Sequence, residues 1–106
     1  MGVKLASPSV EFIGTFMLCL TVAGAAKLSS LAPLDIGGVL MCMIYLGANV
    51  SGFNCNPAVS LALAITGNLP WPRAVIYMAV QLAGGGAAAL AGAAMLADNR
   101  YPSIDK

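Results

Sequence analysis

No histidine occurs in the 106 residues, and charged side chains number only five basic and four acidic. Without imidazole the chain lacks the commonest metal ligand and the usual acid–base group near neutral pH. The three cysteines, Cys19, Cys42 and Cys55, have no CxxC or zinc spacing, and an odd, scattered count does not suggest a disulfide framework. No metal and no cofactor are expected. No nucleophile stands beside a base, and no glycine-rich loop joins a strand to a helix to cradle phosphate, so no enzyme is expected either. Charged residues make up 8% of the chain, where a soluble domain of this size carries about 25%. The net charge of +1 gives no hold on nucleic acid or on an acidic polymer.

What remains is apolar: 59% of the residues are hydrophobic and mean hydropathy is +0.87. That much apolar surface must lie against lipid or partners. Twelve glycines and abundant alanine suit close helix packing in a membrane. The length allows one domain, residues 1–106, with no internal repeat.

The centre of the chain is SGFNCNPAVSLALAITG, Ser51 to Gly67. Asn56 is a good helix N-cap, Pro57 suits the first helical position, and Gly67 suits a left-handed C-cap. The helix so bounded, 57–67, is roughly 15 Å long, half the hydrocarbon thickness of a bilayer. The loop before it is short, polar and glycine-containing, yet lies between apolar segments. Irregular backbone at that depth is tolerated only inside protein or beside a water-filled cavity. The stretch therefore predicts a re-entrant half-helix with its positive end near the membrane midplane.

Three spans flank it. After a polar lead from Met1 to Pro8, Ser9 is placed to cap a first span over 10–26. A signal peptide is the rival reading, from Lys4, the apolar run and Ala23-Gly24-Ala25, but Glu11 at the head of the run argues against it. Pro33 and Asp35 fit the start of a second span over 32–50. Asn68 to Arg73 reads as an interfacial loop, with two prolines and a headgroup-seeking Trp71. A third span follows over 73–97, with Gly84, Ala88 and Gly92 forming a small-residue stripe for tight helix contact. Asp98 to Lys106 is a polar tail. The predicted fold is an all-α, multi-pass membrane protein of three transmembrane helices and one half-helix.

VEFIGTF (Val10 to Phe16), SGFNCNPAV (Ser51 to Val59) and TGNLPWPRAVIYMAVQLAGG (Thr66 to Gly85) together resemble the first half of a major intrinsic protein, the aquaporin and aquaglyceroporin family. Family members are inverted repeats whose two half-helices meet at the midplane, each presenting Asn-Pro-Ala to the pore. This chain has one copy. The resemblance implies a passive channel for water or small uncharged solutes. Asn56, Pro57 and Ala58 form the pore motif, and the carbonyls of Gly52, Phe53 and Asn54 form a row of acceptors leading to it. It also implies that Glu11 and Gln81 support the loop by hydrogen bonds to its backbone. Ungapped matching puts the selectivity filter at Ile36, Ile44, Phe53 and Val59, with Val59 standing where full-length relatives carry an arginine. Cys55 borders the pore as a possible thiol-sensitive position.

One copy encloses half a pore wall. The partner expected in the bilayer is a second half-size subunit, in an antiparallel homodimer or higher homo-oligomer, or a complementary aquaporin half. An antiparallel homodimer needs both insertion orientations. Three crossings put Lys4 and Arg73 on one side and Lys27, Arg100 and Lys106 on the other, almost no topological bias. The alternatives are a non-conducting interaction subunit and a truncated remnant that pairs with another half.

Overall fold

The computed structural model describes residues 2–96, and every regular element among them is a helix. In chain order these are α1 (Gly2–Leu28), α2 (Ala32–Ser51), α3 (Pro57–Ile65) and α4 (Trp71–Leu96). Three of them are long and apolar enough to cross a membrane, through Ala6–Leu28, Ala32–Ser51 and Trp71–Met95. The nine residues of α3 reach only about 14 Å.

Helix α1 starts eight residues before the expected span, so Ser9 lies inside it and caps nothing. Pro8 is within the helix, where it removes a single backbone hydrogen bond. Beside it the buried Ser7 hydroxyl donates to the Val50 carbonyl at 2.8 Å and fixes this end of α1 to the end of α2. Ala23, Gly24 and Ala25 are part of the same helix.

Helix α2 begins with proline in its first turn and Asp35 near its positive end, as expected, and closes one residue later than predicted. Gly52 ends it with φ 80°, a left-handed turn that glycine adopts without steric cost. Helix α3 stops at Ile65, two residues short of the expected end. Gly67 still carries the left-handed turn (φ 83°), with Gly67 N–H donating to the Ala64 carbonyl at 3.2 Å and Asn68 N–H to Leu63 at 2.8 Å. This is the paired closure of a Schellman motif. Helix α4 starts at Trp71, so Pro72 falls in its first turn. The expected end at Ala97, the polar tail, and the Lys4, Arg100 and Lys106 side chains lie outside the described residues.

Helix α1 is central, packing against both α2 and α4, while α3 packs on α4. The small-residue stripe of α4 faces α1. A Cβ on Gly84 would come within 2.7 Å of the Phe12 carbonyl, Ala88 is fully buried, and a Cβ on Gly92 would meet Ala23 Cβ at 3.3 Å. A small apolar core of Ala64, Leu69, Ala74 and Tyr77 joins α3 to α4. Apolar bulk points outward, with Leu34, Met41, Tyr45 and Leu46 of α2 all exposed. The interior holds the polar side chains instead: Ser7, Glu11, Thr15, Asn54, Ser60 and Gln81 are buried. That inversion suits a chain whose solvent is lipid.

The re-entrant loop and its buried carboxylate

Ser7, Glu11 and Thr15 recur every fourth residue on α1, and Tyr77 and Gln81 do so on α4. Each set therefore lies along one face of its helix. The two faces meet around the loop 52–56. Glu11, fully buried, receives four donors: Ser51 Oγ (2.7 Å) and Asn54 N–H (2.9 Å) on Oε2, Cys55 N–H (2.7 Å) and Gln81 Nε2 (2.7 Å) on Oε1. Donors alone converge on both oxygens, the pattern of an acceptor-only ionised carboxylate, and the distances are those of charge-assisted bonds.

Gln81 reaches the loop through other side chains. It donates to Glu11 and makes contacts with Ser60 Oγ at 3.0 and 3.1 Å, and Ser60 Oγ also accepts from Asn54 Nδ2 at 3.2 Å. Its partners are thus Glu11 and Ser60, not the loop backbone named in the sequence expectation. Tyr77 donates its hydroxyl to the Ser51 carbonyl at 3.0 Å, holding the end of α2.

The polarity of the loop follows from these bonds. No cis peptide occurs among the described residues, and in a trans peptide the N–H and the preceding carbonyl point in opposite directions. Asn54 N–H and Cys55 N–H both aim at Glu11, so the Phe53 and Asn54 carbonyls aim away from it. Phe53 N–H donates to Ser51 Oγ at 3.0 Å, which turns the Gly52 carbonyl outward likewise. None of the three carbonyls accepts a hydrogen bond from the described residues. Holding this path requires left-handed backbone at two residues with side chains, Phe53 (φ 51°) and Cys55 (φ 44°). Such conformations persist where surroundings over-determine them, and here Glu11 does so.

Asn56 caps α3 as expected. It is extended (φ −158°, ψ 125°), and its Oδ1 accepts from Ala58 N–H at 2.8 Å. Its Nδ2 has no partner among the described residues, and the residue is exposed at the tip of the half-helix. Pro57 occupies the first helical position, half-buried, and Ala58 is exposed.

Of the filter positions, Val59 and Ile44 are exposed and Ile36 is half-buried. The Phe53 ring takes a different place from the one expected. It is buried between α1 and α2, directly against the bare backbones of Gly14 and Gly47, where any Cβ would overlap or crowd it. The ring therefore anchors the loop and is not set beside Asn56. The Cys55 side chain is also buried, although it borders the same cavity as Asn56, whereas Cys42 is exposed. Among the described residues no group of three potential metal ligands occurs.

Sequence reading missed Ser7, Ser51, Ser60 and Tyr77. For Ser7, Ser60 and Tyr77 the signal was a hydroxyl four residues from Glu11, Asn56 and Gln81 respectively; Ser51 had no such spacing and is placed only by the fold.

Three spans around a half-helix, with irregular backbone fixed by a buried carboxylate, define a multi-pass membrane protein built around a re-entrant loop. The sequence pattern described as major intrinsic protein matches residues 26–103, and the chain belongs to that family. It is 40% identical to human aquaporin-10 over 82 residues, covering 68% of this chain and 27% of that protein. It is 37% identical over 87 residues to glycerol uptake facilitator protein 3 of Lactiplantibacillus plantarum, covering 71% and 36%. With aquaporin Z of Brucella melitensis it shares 36% identity over 91 residues, 76% of this chain and 40% of that protein. The chain spans about a third of the length of the curated relatives it matches. No solved structure matches it.

Proposed function

We propose that the chain forms half the wall of a passive channel for water or small uncharged solutes. A second half-size subunit, inserted in the opposite sense, completes it, with the two Asn56-Pro57-Ala58 tips apposed near the midplane. The observation that carries this reading is the one-sided polarity of the loop. With the Asn54 and Cys55 N–H groups turned to Glu11 and that of Phe53 to Ser51, three carbonyls without a partner among the described residues lead to the free Nδ2 of Asn56 at the positive end of a half-helix. A permeating hydroxyl would donate to the carbonyls and accept from Asn56, while two opposed helix dipoles would resist cations and protons. The family membership, and the aquaporin and glycerol-facilitator names of its relatives, fit this solute class.

In such a pair Ile36, Ile44 and Val59 give each mouth an apolar lining without a fixed positive charge. Apolar constrictions conduct poorly when they dewet, so water flow is weaker than in a dedicated water channel, and small neutral solutes such as glycerol or dissolved gases pass. The test is osmotic shrinkage of proteoliposomes followed by light scattering. Shrinkage faster than in protein-free vesicles is expected, and equal rates would refute the channel. Tags at each terminus, read from both membrane faces, are expected to show both orientations. A single orientation would eliminate the antiparallel homodimer.

A further inference from the structure

The Thr15 hydroxyl is the one buried side-chain polar atom among the described residues with no hydrogen-bond partner. Thr15 is 3% exposed, one turn beyond Glu11 on the same face of α1. Left unpaired in hydrocarbon, a hydroxyl is costly enough that a partner is expected. Thr15 lines an open-mouthed cavity of about 350 Å³ walled by Cys19 of α1, Cys55 and Asn56 of the loop, and Gln81 and Gly86 of α4. Thiols being weak hydrogen-bonding groups, the strong polar groups of that wall are those of Gln81 and Asn56: Gln81 is paired with Glu11 and Ser60, and Asn56 Oδ1 with Ala58, which leaves Asn56 Nδ2. One unused donor, Asn56 Nδ2, and one residue with an orphaned hydroxyl, Thr15, therefore line the same cavity without bonding to each other.

We propose that Thr15 is an inter-subunit positioning residue, its hydroxyl accepting a hydrogen bond from Asn56 Nδ2 of a second copy of this chain. The inference rests on the pairing proposed above and deepens it. A two-fold interface is self-complementary, so a surface that carries both the donor tip and its acceptor makes the bond twice. Nδ2 has two hydrogens. One goes to Thr15 and the other stays free for the permeating solute, while Oδ1 remains on Ala58. All three polar directions of the Asn56 amide are then fixed. The hydroxyl oxygen itself is enclosed in this structure, but a helical threonine has two χ1 rotamers, and the proposed contact requires the one that turns the hydroxyl to the cavity wall as the second tip enters. Gly86, beside which an added Cβ would meet nothing within 4 Å, leaves room for that tip.

The experiment measures dimerisation of the full chain by fluorescence energy transfer in phosphatidylcholine–phosphatidylglycerol vesicles, across a series of protein-to-lipid ratios. Thr15→Val keeps the shape and deletes the hydroxyl. It is expected to weaken dimerisation about tenfold, two membrane-buried hydrogen bonds being lost together. Thr15→Ser is expected to restore it, and Thr15→Val is expected to add nothing in an Asn56→Ala background. Wild-type dimers that Thr15→Val leaves unchanged would overturn the inference while leaving the pairing intact. An equal loss in the Asn56→Ala background would also overturn it, since Thr15 would then act on the fold alone. Wild-type protein that stays monomeric at every ratio would overturn the pairing and this inference with it.

Discussion

Gln81 Nε2 donates to Glu11 Oε1 at 2.7 Å, joining two side chains seventy residues apart on helices that cross around the re-entrant loop. The bond lies on the oxygen that also receives Cys55 N–H, so the orientation of the loop peptide depends on a contact between α1 and α4. Glu11 is thus the hub through which helix packing sets the direction of the loop carbonyls.

Replacing Glu11 with Gln substitutes a donor for an acceptor where only donors point. Hydrogen bonds to a charged group contribute about 1.5–3 kcal/mol each, so Glu11→Gln is expected to destabilise the fold by about 3 kcal/mol. Amide hydrogen exchange at Asn54 and Cys55 should accelerate more than in the rest of the protein. Unchanged protection at both amides would show that the carboxylate does not hold the loop.

The Phe53 ring and the bare backbone of Gly14 are mutually dependent. Gly14→Ala is expected to cost about 1–3 kcal/mol through overpacking. In a Phe53→Ala background the same change should cost under about 0.5 kcal/mol, because the overlapping ring is gone. Denaturant titration in detergent gives both values, and equal costs in the two backgrounds would contradict the anchor.

Along the α4 stripe the glycines are not equivalent. Gly84→Ala presses a Cβ within 2.7 Å of a backbone carbonyl, which has no rotamer to escape into, whereas Gly92→Ala meets a methyl at 3.3 Å. Gly84→Ala should lower stability by about 2 kcal/mol or more and Gly92→Ala by under about 1 kcal/mol. Thermal unfolding of the two variants orders them, and a reversed order would place the tight crossing elsewhere.

Val59→Arg puts a fixed charge on the exposed first turn of α3, where the proposed mouth is otherwise apolar. The ratio of glycerol to water permeation in proteoliposomes should fall several-fold, the charge narrowing the passage and favouring water. If neither rate nor solute preference changed, the filter assignment would be wrong.

Much of the architecture was legible in the sequence because it depends on local chemistry. Asn56, Pro57 and Gly67 punctuate α3 where an N-cap, a first-turn proline and a left-handed turn are needed, and the boundary missed by two residues only because the closing turn precedes its glycine. Helix α1 was drawn too short because Met1 to Pro8 was read as a polar lead and Ser9 as the cap that follows it. Ser7, in that lead, bonds to Val50, 43 residues away, a contact that no local signal shows. The site was half legible. A carboxylate in an apolar span marks itself, but its four donors come from three separate segments and no spacing rule connects them. Phe53 looked like a pore residue from its place beside the motif, and only the approach of Gly14 and Gly47 shows why the ring turns inward.

By itself the sequence determined the number of spans, the half-length of α3, the chemistry at its tip and the inverted distribution of polar and apolar residues. Each of these follows from periodicity, capping and the exclusion of unpaired polar groups from lipid, which act over a few residues at a time. Only the tertiary structure decided which way the loop faces. That direction is set where α1, α2 and α4 bring Glu11, Ser51 and Gln81 to one point, and a trans peptide whose N–H is held there must turn its carbonyl to the other side.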